Sequence, residues 1–178
     1  MTDCYRVEVK GYRITDIRTP DYLDPISIYI EDFAIGQGKI TITCSDECWT
    51  HYWGAMGDKT LIEFFIKCDQ HYIAKKLSRI SATVVDYDEI KNHLFRRILI
   101  FRRELELTHS EARELWDSVD FANFDEDLTT EQDLICSIIG EEWYYDLPKK
   151  ANSDYEYLCK IINVVKKELT LIQSEVKQ

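Results

Sequence analysis

The chain predicts an α+β fold, with an N-terminal antiparallel sheet of three to five strands followed by about five helices, the last long and heptad-patterned. Three observations carry this expectation. Up to Gly54 apolar residues alternate with polar ones, the period of a sheet buried on one face. Beyond Gly57 they recur every three or four residues, and the segments with that period open on helix-start signals. The final stretch keeps the helical step for about three heptads.

The strands come first. Ile26, Ile28 and Ile30 alternate with Ser27, Tyr29 and Glu31, and Ile40, Ile42 and Cys44 with Thr41 and Thr43, joined by a turn at Gly36-Gln37-Gly38. Trp49-Thr50-His51-Tyr52-Trp53 forms a third run, placing Trp49, His51 and Trp53 on the core face and Tyr52 outside. Tyr5 to Val9 and Tyr12 to Ile17 are weaker strands ahead of Pro20 and Pro25.

Five helix starts follow: Thr60-x-x-Glu63, Asp86-x-x-Glu89, Thr108-x-x-Glu111, Thr129-x-x-Gln132 and Ser153-x-x-Glu156. Each sets an oxygen acceptor three residues ahead of a carboxylate or amide, as in a capping box. Ile90, Leu94, Ile98, Phe101 and Leu105 make one buried stripe. Tyr155, Leu158, Ile162, Val165, Leu169, Ile172 and Val176 make another, and Ile161, Val164 and Leu171 add a second strip to the same helix. That helix either lies across its own core or is shared with a second copy in a homodimer through residues 153–177.

A length of 178 residues suits a single α+β domain, 1–178, with a soft subdivision into 1–82, sheet plus first helix, and 83–178, the helical region. With 45% hydrophobic and 12% aromatic residues the chain is neither disordered nor collagen-like. The polar start Met1-Thr2-Asp3-Cys4-Tyr5-Arg6 lacks the apolar core of a signal peptide, and no window approaches a membrane span. A cytoplasmic location is therefore expected, with the six cysteines reduced and mostly buried.

The net charge of −11 makes nonspecific attraction to nucleic acid or anionic membrane a poor expectation. The negative charge is concentrated in residues 104–146, which hold 14 acidic side chains and a single base, Arg113. Glu111, Glu114, Asp117, Asp120, Asp125, Glu126, Asp127, Glu131, Asp133, Glu141 and Glu142 are the candidate partner-binding residues: carboxylates on short helices can follow a run of phosphates into an electropositive groove. The plain alternative is a solvated face. Lys75, Lys76 and Arg79, with Arg96, Arg97, Arg102 and Arg103, either form a basic patch or neutralise the chain's own acids.

Cys44, Cys48, His51, Cys68 and His71 carry the donor types that zinc prefers, so four of the five could hold a structural ion. Their intervals match no standard finger or ribbon, and structural thiols with core or surface histidines are the simpler account. There is no Gly-rich phosphate loop, no H-E-x-x-H, no G-x-S-x-G and no calcium loop, so no catalytic residues are assigned and a non-enzymatic role is expected.

Ile40-Thr41-Ile42-Thr43-Cys44, Trp49 to Gly57, Glu63-Phe64-Phe65 and Cys68 to Leu77 resemble a segment shared by small proteins of tailed bacteriophages and prophages, over about residues 26–80. The resemblance brings no reaction or residue roles, but it implies a phage-encoded protein acting in the cytoplasm of a bacterial host. In that setting the acidic segment suggests, by analogy, an anti-CRISPR or anti-restriction type of inhibitor. It would bind a basic host or viral complex that handles nucleic acid, with nucleic-acid mimicry as the mode. The alternative function is a zinc-stabilised module in phage DNA metabolism.

Overall fold

The computed structural model describes residues 10–17, 23–125 and 127–176. Among them are six strands and seven helices, grouped into two compact units. One unit joins the chain up to Ser81 with residues from Ser153 onward, and the other spans Ala82–Asn152.

The first unit opens with β1 (Lys10–Ile17), β2 (Ile26–Ala34), β3 (Gln37–Cys44) and β4 (Glu47–Trp53), an antiparallel meander in the order β1-β2-β3-β4. Its register follows the alternation of the sequence. Ile14 pairs with Ile28, Ile28 with Ile42 and Ile42 with Trp49, so one row of large side chains crosses all four strands. Ile30 pairs with Ile40, and Ile26 with Cys44. The opposite face is polar, with the Thr41 and Thr50 hydroxyls 3.0 Å apart and the Arg13 guanidinium over the Tyr29 ring. Tyr5 to Val9 lies outside the described residues.

Two helices follow, α1 (Leu61–Lys67) and α2 (Gln70–Leu77). Thr60 and Glu63 form the expected capping box on α1, and Asp32 of β2 accepts from the Leu61 amide at 3.0 Å, tying the helix start to the sheet. Helix α2 was not expected. Asp69 caps it alone, accepting from the His71 and Tyr72 amides, and the box signature requires a Glu or Gln that Tyr72 is not. The unit is completed by α7 (Ser153–Val176), which packs against α1 and α2. Tyr155, Leu158, Ile161, Ile162, Val165 and Leu169 enter the same core as the sheet isoleucines, and Leu171 of the second strip stays exposed.

The second unit contains β5 (Thr83–Val85), α3 (Tyr87–Arg103), α4 (His109–Phe121), α5 (Gln132–Ile139), α6 (Trp143–Asp146) and β6 (Lys149–Ala151). Its core is Ile90, Leu94 and Ile98 of α3 with Val119, Phe124, Leu128, Ile135, Ile138 and Leu147. The α3 stripe ends earlier than its spacing suggests, because Leu105 lies past the helix end at φ 64° and is 82% exposed. Thr108 and Glu111 form their box on α4. Two other expected boxes do not form. Asp86 spends its carboxylate on Lys150 at 3.3 Å, and the Thr129 hydroxyl donates to Asp127, so α5 begins only at Gln132. The four-residue α6 and the three-residue β5 and β6 are too short for periodicity to show.

The β2–β3 hairpin turns at Gly36, whose φ is 76°. The Gly36 amide donates to Lys59 and its carbonyl accepts from the Met56 amide, and a Cβ at Gly36 would run into the carbonyl oxygen of Gly57. Gly36→Ala should lower stability by more than about 1 kcal/mol in urea unfolding, through left-handed backbone strain and displacement of the 56–59 loop.

Candidate functional site

The sequence nominated two groups of residues, and the structure places them differently. The five zinc candidates all lie in the first unit. Cys44 is on the buried face of β3, where its thiol donates to the Asp24 carbonyl at 3.5 Å and lies 3.4 Å from the Tyr157 hydroxyl. That contact, with burial, leaves the Tyr157 phenol pushed up to about 12. Cys48 is exposed on β4. His51, half-buried on β4, sets its ring against Trp53 with centroids 4.5 Å apart; burial and the neighbouring Lys76 charge hold its pKa below the ordinary value. Cys68 follows α1, and its carbonyl accepts from the Lys166 ammonium of α7. His71 stacks on Tyr155, with Nδ1 3.0 Å from the phenol oxygen. Among the described residues no group of three or more His, Cys, Asp or Glu side chains is placed to hold a metal ion.

The described cysteines are all free, but fewer are buried than expected. Cys44 and Cys159 are buried, Cys68 and Cys136 half-buried, and Cys4 lies outside the described residues. Burial pushes the Cys68 and Cys159 thiols up. A maleimide at neutral pH should therefore label Cys48 ahead of Cys44, Cys68 and Cys159, with Cys44 reacting only on unfolding, as read by peptide mass mapping.

The acidic candidates all belong to the second unit, which carries 17 acidic and 8 basic side chains. On α4 a turn of about 100° per residue sets Glu114 and Asp117 opposite the buried Val119, with Glu111 and Asp120 flanking them. This outer face is continuous, but its charges are occupied. Glu111 closes the capping box, Glu114 accepts from Ser110, Arg113 pairs with Asp117 at 3.1 Å and Lys91 with Asp120 at 3.2 Å. Lys91 also donates to the Asp120 carbonyl, supplying the C-terminal cation that α4 lacks in its own last turn. Asp125 accepts from Asn123 and Asp127 from Thr129, while Glu126 lies outside the described residues.

The remaining four differ. Glu131, Asp133, Glu141 and Glu142 make no side-chain hydrogen bond or ion pair with any described residue. They bracket α5: Glu131 and Asp133 at its start, Glu141 and Glu142 just past its Gly140 cap. Glu141 follows a helix C-terminus, where the macrodipole disfavours an anion. Beside this end stand Tyr144 and Tyr145, 50% and 69% exposed with ring centroids 4.2 Å apart. Sequence inspection found the carboxylates but not these tyrosines, because nothing local announces a four-residue helix that leaves two aromatics outside.

The basic candidates divide between the units: Lys75, Lys76 and Arg79 fall in the first, the α3 arginines in the second. Arg96 pairs with Glu89 at 2.6 Å, and Arg97 lies over the Phe101 ring with Asp146 3.8 Å away. Among the described residues no acid pairs with Arg102 or Arg103.

The Thr108 hydroxyl and amide hold the Glu111 carboxylate below its usual range. A carboxylate with a depressed folded pKa adds stability above its unfolded pKa of about 4.3, and this is lost as pH falls through the folded value. The stability gap between the native chain and Glu111→Gln should therefore be full at neutral pH and shrink below about pH 4, as followed by thermal unfolding.

No helix among the described residues is long and apolar enough to cross a membrane. No curated protein and no solved structure matches the chain. The profile of a phage family, Phage_phiTE_072, matches residues 3–170, well beyond the 26–80 segment that carried the sequence resemblance. With nearly the whole length matched, the chain belongs to that phage protein family.

Proposed function

We propose that this phage protein is a non-enzymatic binder whose unit 82–152 docks onto a basic protein surface of a nucleic-acid-handling complex and blocks it, in the manner of an anti-CRISPR or anti-restriction inhibitor. One observation carries the proposal: four carboxylates without an internal partner stand at the two ends of α5, beside two exposed tyrosines. Interfaces draw their energy from a few aromatic anchors and use surrounding charge for steering and register. Tyr144 and Tyr145 supply the first, and Glu131, Asp133, Glu141 and Glu142 the second. The α4 carboxylates are better suited to holding their own helix, since Glu111 caps it and Asp117 and Asp120 are paired.

A partner that ordinarily grips phosphates would meet these carboxylates with lysines and arginines, and its attraction would be screened over about 8 Å at physiological ionic strength. Pulldown from nuclease-treated host lysate, eluted by rising salt, should recover a basic nucleic-acid-binding protein. Reversing Glu131, Asp133, Glu141 and Glu142 to lysine together should weaken that binding by about 100-fold or more while leaving thermal unfolding cooperative. Undiminished binding by the folded quadruple variant would discard the acidic-docking mode.

A further inference from the structure

Amid the excess acid, one groove is lined by bases. It lies between α3 and α4, encloses about 220 Å³ and has no carboxylate in its lining. Helical spacing builds it from i,i+4 pairs: Ile98 with Arg102 on α3, His109 with Arg113 and Ala112 with Trp116 on α4. Ile98 and Ala112 make an apolar floor. The Trp116 ring, which lines the groove, stacks on Phe95 at 4.0 Å and 21°, and this fixes its plane.

The groove cations keep donors free for a ligand. Lys91, Arg96 and Lys150 are each bound to acids, whereas no described acid pairs with Arg102. Asp117 takes only the Nε edge of Arg113, so the Nη groups remain available to an incoming oxyanion. Glu111, next to Ala112 in sequence, is turned back onto Thr108.

We propose that the α3–α4 groove binds a small phosphate ester carried on a flat ring, with the phosphate on Arg102 and Arg113 and the ring against Trp116. The volume is below that of typical drug-sized pockets, which limits the ligand to one ring and one anionic group in contact. Planar guanidinium groups match the phosphate oxygens, and His109 at the first turn of α4 is a third nitrogen-bearing side chain in the lining. The site is separate from the α5–α6 carboxylates and does not depend on a protein partner.

Calorimetric titration of the full chain with phenyl phosphate tests this, with inorganic phosphate and phenol as comparators. Saturable binding of phenyl phosphate is expected, at least about tenfold tighter than inorganic phosphate. Arg102→Gln and Arg113→Gln should each weaken it by about tenfold, while Arg103→Gln, the exposed neighbour, should not. Proton NMR spectra would verify that each variant is folded. If Arg102→Gln unfolds, the largely exposed Arg113 decides, since its i,i+4 ion pair contributes little to stability. Absence of saturable binding, equal affinity for inorganic phosphate, or an equal loss in Arg103→Gln would overturn the proposal.

Discussion

One face of the β1–β4 sheet carries Ile26, Ile28, Ile30, Ile40, Ile42, Trp49 and Trp53, and the first unit is organised around keeping that face dry. An antiparallel sheet tolerates water on one side, as the Thr41 and Thr50 side does here, but not on both. The helices next in sequence are short: α1 has 7 residues and α2 has 8, about 10 to 12 Å each. They reach the sheet but are too short to close the core they share with it, in which Phe65, Ile73 and Leu77 also need cover. The 24-residue α7, about 36 Å long, provides it from the far end of the chain. The requirement for α7 therefore originates in the alternation of β2 and β3.

The same dependence explains what could be read from the residues and what could not. The buried face of β2 and β3 was legible because the alternation puts Ile26, Ile28 and Ile30 on one side, and a slip by one residue would turn them into water. Capping boxes were legible where the Thr and Glu face only each other, as at Thr60 and Thr108, and misleading where a distant or neighbouring group competes, as Lys150 does for Asp86 and Asp127 for Thr129. The destination of α7 was not legible. An apolar helix stripe says that something covers it, and only its packing against α1 and α2 in the folded chain says what.

At the candidate surface the difference is one of bookkeeping between charges. Composition showed the excess of acid but could not separate carboxylates that serve the fold from those that do not. Glu111 and Asp127 are helix or turn acceptors, and Asp117, Asp120 and Asp146 have basic neighbours. Among the described candidates Glu131, Asp133, Glu141 and Glu142 stand without such duties, and the distinction depends on side-chain geometry three or more residues away. The exposed Tyr144 and Tyr145 were equally hidden, since an aromatic residue in sequence reads as core until its helix proves too short to turn it inward.

The small β5–β6 ribbon has a consequence for how such a chain can change over generations. Thr83 pairs with Ala151, and the Asn152 amide donates to the Ala82 carbonyl at 3.0 Å, so the chain enters and leaves the acidic unit at adjacent points. Paired antiparallel strands lie only about 5 Å apart. Everything between those points is in effect an insertion whose ends already meet, the arrangement in which a segment can be lengthened, swapped or removed at small cost to its host. In the descent of such a chain residues 82–152 can be replaced wholesale while the sheet, α1, α2 and α7 are retained as a constant chassis.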